Sequence, residues 1–351
     1  MLITWSAWRT TPKPAMKSLK DTQGIGVLLV NSGTPDAPEE EAIRTWLEQM
    51  LTDPVLIACP MPIWRRVLDY VILPRRPKKN VPRYKRFWTP EGSPFILDSL
   101  AQGRALEKRL VACDVDAKVE VAMRYGNPSI ASKLELFKQA GVSKLIVIPM
   151  YPQECKSCTG TILPEVKRLF DVLVDSEWNP ELLEIPHYYD NPLYLKALSE
   201  SVSRVWSPQL NARLAISFHS EPVKFIEDGD PYQDQINETA ENLAASLGLS
   251  DDTWQVTYQS RFDNRKWLGP LLEPTLELWA EQGVKDVCVV CPGFAADCLE
   301  TSMEVAEEAR DFFLAAAGEG ARFTYVPALG ADVGLIAALT DEVLRRLKEN
   351  R

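Results

Sequence analysis

Short apolar runs, each closed by glycine, proline or serine, recur along this chain and alternate with stretches in which apolar residues fall three or four apart. The first run, GIGVLLVNSGTP, predicts a buried strand that breaks at Gly33, Thr34 and Pro35. EEEAIRTWLEQML follows, with Asp36 and Pro38 ahead of it and acids in its first turn, where a helix dipole favours them; it predicts a helix. Further strands are predicted at 119–125, 144–151, 214–219, 254–260 and 286–294, separated by helical stretches such as SIASKLELFKQAG and TLELWAEQG. Strand and helix in alternation predict an α/β protein with parallel sheets built from right-handed β-α-β units. AGVSKLIVIP and QGVKDVCVVC each run from a helix end through Gly-Val and Lys into a strand, which suggests two similar halves. Ligands of such sheets bind beyond the carboxyl ends of the strands, so chemistry is sought there. Gly24-x-Gly26 precedes its strand instead of following it, which excludes a dinucleotide fingerprint.

The length of 351 residues fits two domains of roughly 150 residues each. The expected layout is a polar leader at 1–22, one Rossmann-like half at 23–150, a second at 151–330, and a terminal helix at 331–351 packing back on the first half. No apolar run is long enough for a spanning helix, and the opening MLITWSAWRTTPKPAMKSLK lacks the apolar core of a signal peptide, so a cytoplasmic protein is expected. A net charge of −10 argues against nucleic acid as a partner. One segment departs from this acidity: nine Lys or Arg lie between Arg65 and Arg86 against the single acid Asp69, mixed with Trp64, Val71, Phe87 and Trp88. Such a mixture suits a membrane surface or an anionic ligand, or else a solvated helix face. Seven cysteines without a secretory signal fit a reducing compartment. In VCVVCPGF, Cys288 and Cys291 should point to opposite faces of a strand, as core residues; Cys155 and Cys158 follow a strand, could be exposed, and leave a half zinc site as a minor alternative.

Imidazole chemistry has only His187 and His219 to draw on. His219 ends the strand LAISFH, at the mouth of a sheet, where either a structural or a catalytic role is open; a structural role is expected for His187. A helix is expected from Asp297, in which Glu300, Glu304 and Glu308 fall four apart along one face. The row is either an ordinary solvated face or a carboxylate track that passes a divalent cation or protons; hard oxygen ligands would hold Fe²⁺ transiently.

The stretches LLVNSGTPDAP, EGSPF, MRYGNPSI, VIPMYPQ, ISFHSEP, DGDPY, YQSRF and VCPGFAADCLET occur in the order and spacing of ferrochelatases, and from Gly26 to about Leu347 the chain resembles that family. The resemblance implies two chelatase-type Rossmann-like domains, an enzyme of haem biosynthesis, and a porphyrin held between the halves under a lip at 61–95. It assigns the catalytic histidine to His219 and its partner to Glu300, with Glu304 and Glu308 continuing a metal path. It places Tyr125, Tyr151, Ser217, Trp64 and Phe95 around the porphyrin. Porphyrin and ferrous iron are the expected partners, with no tightly bound cofactor, and the lip implies peripheral contact with an inner membrane surface. Some relatives hold an iron-sulfur cluster through cysteines near the C-terminus; no cysteine follows Cys298 and Lys156 stands at the upstream position, so no such cluster is expected.

Several residues depart from the family pattern. Ser32 stands where a larger apolar residue is common, Glu154 replaces an aromatic and Cys158 a threonine. Ser220 and Glu221 replace a glycine and an apolar residue after His219, Lys224 stands where arginine is frequent, and Asp263 and Asn264 replace a glycine and a base. A second carboxylate beside the histidine and a lost aromatic would change proton affinity and ring stacking. They support an alternative: a diverged paralogue that metallates another tetrapyrrole, or binds porphyrin without catalysis.

Overall fold

The computed structural model of this chain describes residues 24–349 apart from 58 and 262; the polar leader expected at 1–22 lies outside them. Two four-stranded parallel sheets form the frame. The first contains β1 (Ile25–Asn31), β2 (Ala117–Met123), β3 (Lys144–Pro149) and β4 (Glu181–Glu184) in the order β2-β1-β3-β4. The second repeats it with β5 (Arg213–His219), β6 (Trp254–Gln259), β7 (Asp286–Val290) and β8 (Arg322–Val326), in the order β6-β5-β7-β8. The internal repeat read from sequence maps onto β3 and β7, which hold the same place in their sheets and are each preceded by a ten-residue helix, Ile130–Gln139 and Leu272–Glu281.

Central strands are mainly apolar because helices cover both faces; β1 and β7 are buried at every residue. The edge strands β4 and β8 are short and partly exposed. β4 corrects the expected boundary at 150/151, since Lys144 to Val147 pair with Glu181 to Glu184 and the first sheet therefore reaches past residue 180. The change of sheet comes in the connection through helix Pro192–Val205. The terminal helix Val333–Glu349 packs on Pro94–Val111 of the first half and also on Pro192–Val205, so it straddles the junction of the sheets. Gln102 adds a buried tie there, its amide donating to the Ala295 and Gly330 carbonyls at 2.7 and 3.0 Å.

The lip leaves the first sheet after β1. Ile43, Leu47 and Leu51 of helix Glu40–Leu51 meet Leu68, Leu73 and Tyr84 in a small core of their own. The basic helix Arg76–Phe87 rides on that core, with Tyr84 and Phe87 buried and most of its cations outward. No described helix is long and apolar enough to cross a membrane.

Candidate active site

A cleft with a cavity of about 200 Å³ opens at the carboxyl ends of both sheets, beneath the lip. Its first wall begins where β1 ends. The Asn31 Oδ1 accepts the Ser32 N–H at 2.9 Å, and Gly33 follows at φ +104°, where a Cβ would stand 1.8 Å from the Tyr125 carbonyl oxygen. Only glycine lets the ends of β1 and β2 approach so closely. Tyr125 is held by its hydroxyl, which donates to Asp53 at 2.8 Å, while Arg124 pairs with the same carboxylate at 2.5 Å and lies over the tyrosine ring. Tyr151 sits beyond β3 and accepts the Ser32 N–H at 3.1 Å. Burial above all holds both phenols well above their ordinary range, so they are neutral ring surfaces. Tyr84, Phe87 and Phe95 close this side from the lip, Tyr84 edge-on to Trp46 at 6.3 Å.

The opposite wall carries the polar groups. His219 is the last residue of β5, and its Nδ1 lies 2.7 Å from the Ser220 carbonyl oxygen. That oxygen can only accept, so Nδ1 carries the proton and Nε2 is the ring's acceptor. The turn is fixed on three sides. Tyr232 donates to the His219 carbonyl at 3.0 Å, Ser220 N–H to Gln259 O at 2.8 Å, and the Ser220 hydroxyl to Leu268 O at 2.9 Å. Glu221 is buried in the same wall and accepts a hydrogen bond from Ser157; burial pushes its carboxyl up to about 7, against the opposing pull of His219 and Ser157.

Glu300 opens a π-helix, Glu300–Ala309, that runs on into α-helix Arg310–Ala317. Its start is clamped by Asp297, whose Oδ1 accepts from Tyr325 at 2.5 Å, Thr301 at 2.9 Å and the Ala328 N–H at 3.3 Å. A π-bulge at such a place is common beside functional groups, because the wider turn re-aims side chains. Glu304, one turn out, accepts from Ser260 at 2.6 Å; burial and then the Glu300 charge raise its carboxyl, while His219 and Arg83 oppose the rise. The imidazole and the two carboxylates thus share one electrostatic field.

His219, Glu300, Tyr125, Tyr151 and Phe95 all line this one cleft, as do the departures Ser32, Cys158 and Glu221. Four expected residues do not line it. Ser217 lies one pleat deeper on β5 than His219, fully buried, its hydroxyl donating to Gln259 at 2.8 Å. Trp64 turns into the lip and donates to Leu51 O at 2.6 Å. Glu304 and Glu308 continue outward from Glu300 and are met by Arg83 at 3.8 and 2.8 Å, while Arg86 pairs with Glu307. Among the described residues, no three His, Cys, Asp or Glu side chains are gathered tightly enough to hold a metal ion, so the expected ligands His219, Glu300, Glu304 and Glu308 are not drawn together into a cage. Cys155, which could have been exposed, is buried because the loop after β3 folds it against Tyr232, beside Cys158. Phe225, Arg265 and Trp267 also line the cleft and were not singled out from sequence. Arg265 lies 5.8 and 5.3 Å from the two ring centres, a stack assembled from loops whose only sequence signal is aromatic and basic residues in short succession.

A solved structure titled SirB from Bacillus subtilis with Fe3+ superposes with a TM-score of 0.54 over 92% of this chain and 94% of its own, at 11% identity, a likeness of fold alone. A ferrochelatase of Alcanivorax borkumensis is 43% identical over 91% of this chain and 93% of its own length. One from Bordetella pertussis is 42% identical over 92% of this chain and 88% of its own. The sequence model of the ferrochelatase family matches residues 24–347, and the chain belongs to that family.

Proposed function

We propose that this iron-inserting enzyme of haem synthesis takes protoporphyrin IX as its porphyrin, with His219 as the proton acceptor and Glu300 as its partner. The observation that carries the assignment is the committed Nδ1 of His219: it leaves Nε2 as the free base in a cleft whose other wall is aromatic. Insertion must remove two pyrrole N–H protons and bend the ring so that nitrogen lone pairs face the metal. Neutral Tyr125 and Tyr151 and the lip aromatics suit the faces of an apolar macrocycle, and Arg265 suits a propionate. The row Glu300, Glu304 and Glu308 offers hard, exchangeable oxygen ligands through which ferrous iron enters or protons leave.

The two sheets then act as the functional halves, divided after β4. The lip fits peripheral contact with an anionic membrane surface, since Ile63, Tyr70 and Val71 are 60%, 77% and 50% exposed beside Arg66 and Arg75. A second reading, metallation of a different tetrapyrrole, is favoured by one feature: Glu221 sets a buried carboxylate in the cleft wall beside His219.

The test mixes purified protein anaerobically with Fe²⁺ and protoporphyrin IX, follows porphyrin absorbance, and runs His219→Ala alongside. Turnover lost in the variant by about 100-fold or more is expected of a general base. Tight porphyrin binding without turnover in the wild type would transfer the assignment to the second reading.

A further inference from the structure

Cys155 and Cys158 stand three residues apart in the loop between β3 and helix Thr159–Leu173, and Cys158 immediately precedes the first turn of that helix. The backbone there is pinned: Gly160 N–H donates to the Cys155 carbonyl at 3.0 Å, and the Thr161 and Ile162 N–H groups both donate to the Cys158 carbonyl. Both thiols reach the Ser157 hydroxyl, at 3.6 and 3.9 Å. Both face the cleft, which gives a small molecule a route to them. Ser157 donates to Glu221, two residues beyond His219, so the thiol pair is one contact from the polar wall. Cys288 and Cys291 share the spacing but pack into different cores on opposite faces of their sheet.

We propose that Cys155 and Cys158 close a reversible disulfide in the cleft wall, a modification site at which hydrogen peroxide switches iron insertion off. Cys158, half-exposed at a helix N-terminus, meets the oxidant first. Its thiolate attacks one peroxide oxygen, the O–O bond breaks, and the departing hydroxide takes up the thiol proton as water, leaving Cys158 a sulfenic acid. The Cys155 sulfur then attacks the Cys158 sulfur, the S–O bond breaks, and a second water leaves with the Cys155 proton. Two thiols lose two electrons and one peroxide gains them. The buried Cys155 thiol is held well above its ordinary range by its neighbour Cys158 and by burial.

Closure brings the two sulfurs, which flank the Ser157 hydroxyl, to about 2.05 Å of each other. Backbone on both sides of Ser157 must follow, and with it the Ser157–Glu221 bond and the loop that carries Tyr151. Ångström-scale displacement beside reacting atoms costs up to about 100-fold in rate, so a loss of at least about tenfold is expected. The chemistry has a use: peroxide oxidises ferrous iron, and an enzyme that stops in its presence does not hold the metal where that happens.

The experiment treats the reduced full-length protein with hydrogen peroxide, removes the excess, alkylates the remaining thiols, and maps peptides by mass while assaying Fe²⁺ insertion. The expected peptide contains both cysteines unalkylated and two hydrogens lighter, turnover falls at least about tenfold, and dithiothreitol restores both. In Cys155→Ser, Cys158 has no partner, and its oxidation passes to acids that dithiothreitol does not reverse. Alkylation of both cysteines while the half-exposed Cys59 and Cys113 of the same molecules are oxidised overturns the proposal. So does a closed disulfide with unchanged turnover. The switching half rests on the iron-insertion reading, but the masses do not: inactivity of the reduced protein overturns that reading and leaves the bond to be judged by mass.

Discussion

The loops after β3 and β7 occupy the same place in the two halves and have the same span, 150–158 and 291–299, yet they deliver different helices. Helix Thr159–Leu173 is regular, and its first residue, Thr159, is a buried hydroxyl 3.4 Å from the Pro186 carbonyl. The helix after β7 opens as a π-helix, and its first residue is Glu300. The ends of β1 and β5 differ in the same sense. Asn31 leads to Gly33, which lets two strands meet, whereas His219 leads to Glu221, a carboxylate in the cleft wall. One architecture thus serves as an aromatic bed in the first half and as a seat for charge in the second. The difference teaches that the sheet fixes where a side chain stands, and the few residues after the third strand decide what it can do.

The largest expected effect sets these equivalent positions against each other. Glu300→Gln should lower turnover by about 100- to 10,000-fold, while Thr159→Val should cost about 1 kcal/mol of stability and leave turnover within a few fold; similar losses in steady-state assays of both would dissolve the distinction.

Next in size is the Glu221 carboxyl, raised by burial to about 7. An acid with a higher value folded than unfolded binds its extra proton in the native state, so stability falls as pH rises from about 4.5 to 7 and levels above that. The loss is on the order of 3 kcal/mol. Urea unfolding at pH 5 and 8 should show that fall in the wild type, over and above any change in Glu221→Gln; parallel pH dependence in the two proteins would contradict the burial argument.

Asp297→Ala should remove about 1–3 kcal/mol by orphaning the donors at the π-helix start. It should also lower kcat more than the KM for porphyrin, because Asp297 positions Glu300 and faces Tyr325 and Thr301, not the cleft wall. An unchanged kcat would separate helix start from chemistry. The smallest effect belongs to Arg83→Gln. Exposed pairs contribute about 0.2–1 kcal/mol, so KM should shift by no more than about fivefold, and 1 M salt applied to the wild type should reproduce much of the shift.

Much of the frame was legible because its central strands are continuous apolar runs. IGVLLVN and RLAISFH read as strands, and the repeated Gly-Val approach, followed at once or one residue later by Lys, marked β3 and β7 as counterparts. The half boundary was misplaced because ELLE is four residues long and RFTYV is largely half-exposed, and edge strands of that kind carry little pattern. In the site, their places after strands made His219 and Glu300 candidates, the resemblance gave them roles, and both line the cleft. Ser217, placed by the resemblance, is buried beneath the cleft, a depth that no local pattern in the strand reveals. The spacing of Glu300, Glu304 and Glu308 is compatible with both α- and π-geometry, so the wider turn left no trace in the sequence. Contacts between distant loops, such as Arg265 over Phe225 or Ser157 with Glu221, have no local signature at all.

Helix Val333–Glu349 has a mechanical consequence. Two sheets joined by one connection could open like the covers of a book, and the cleft would then widen from its floor. A strap lying across both covers, reinforced by Gln102 bonded to two loops of the opposite half, removes that freedom. The front panel is seated differently, on its own small core and, at its free edge, on the ion pairs of Arg83 and Arg86. The floor of the cleft is therefore braced across both sheets, while its front rests on a separate core and on salt links.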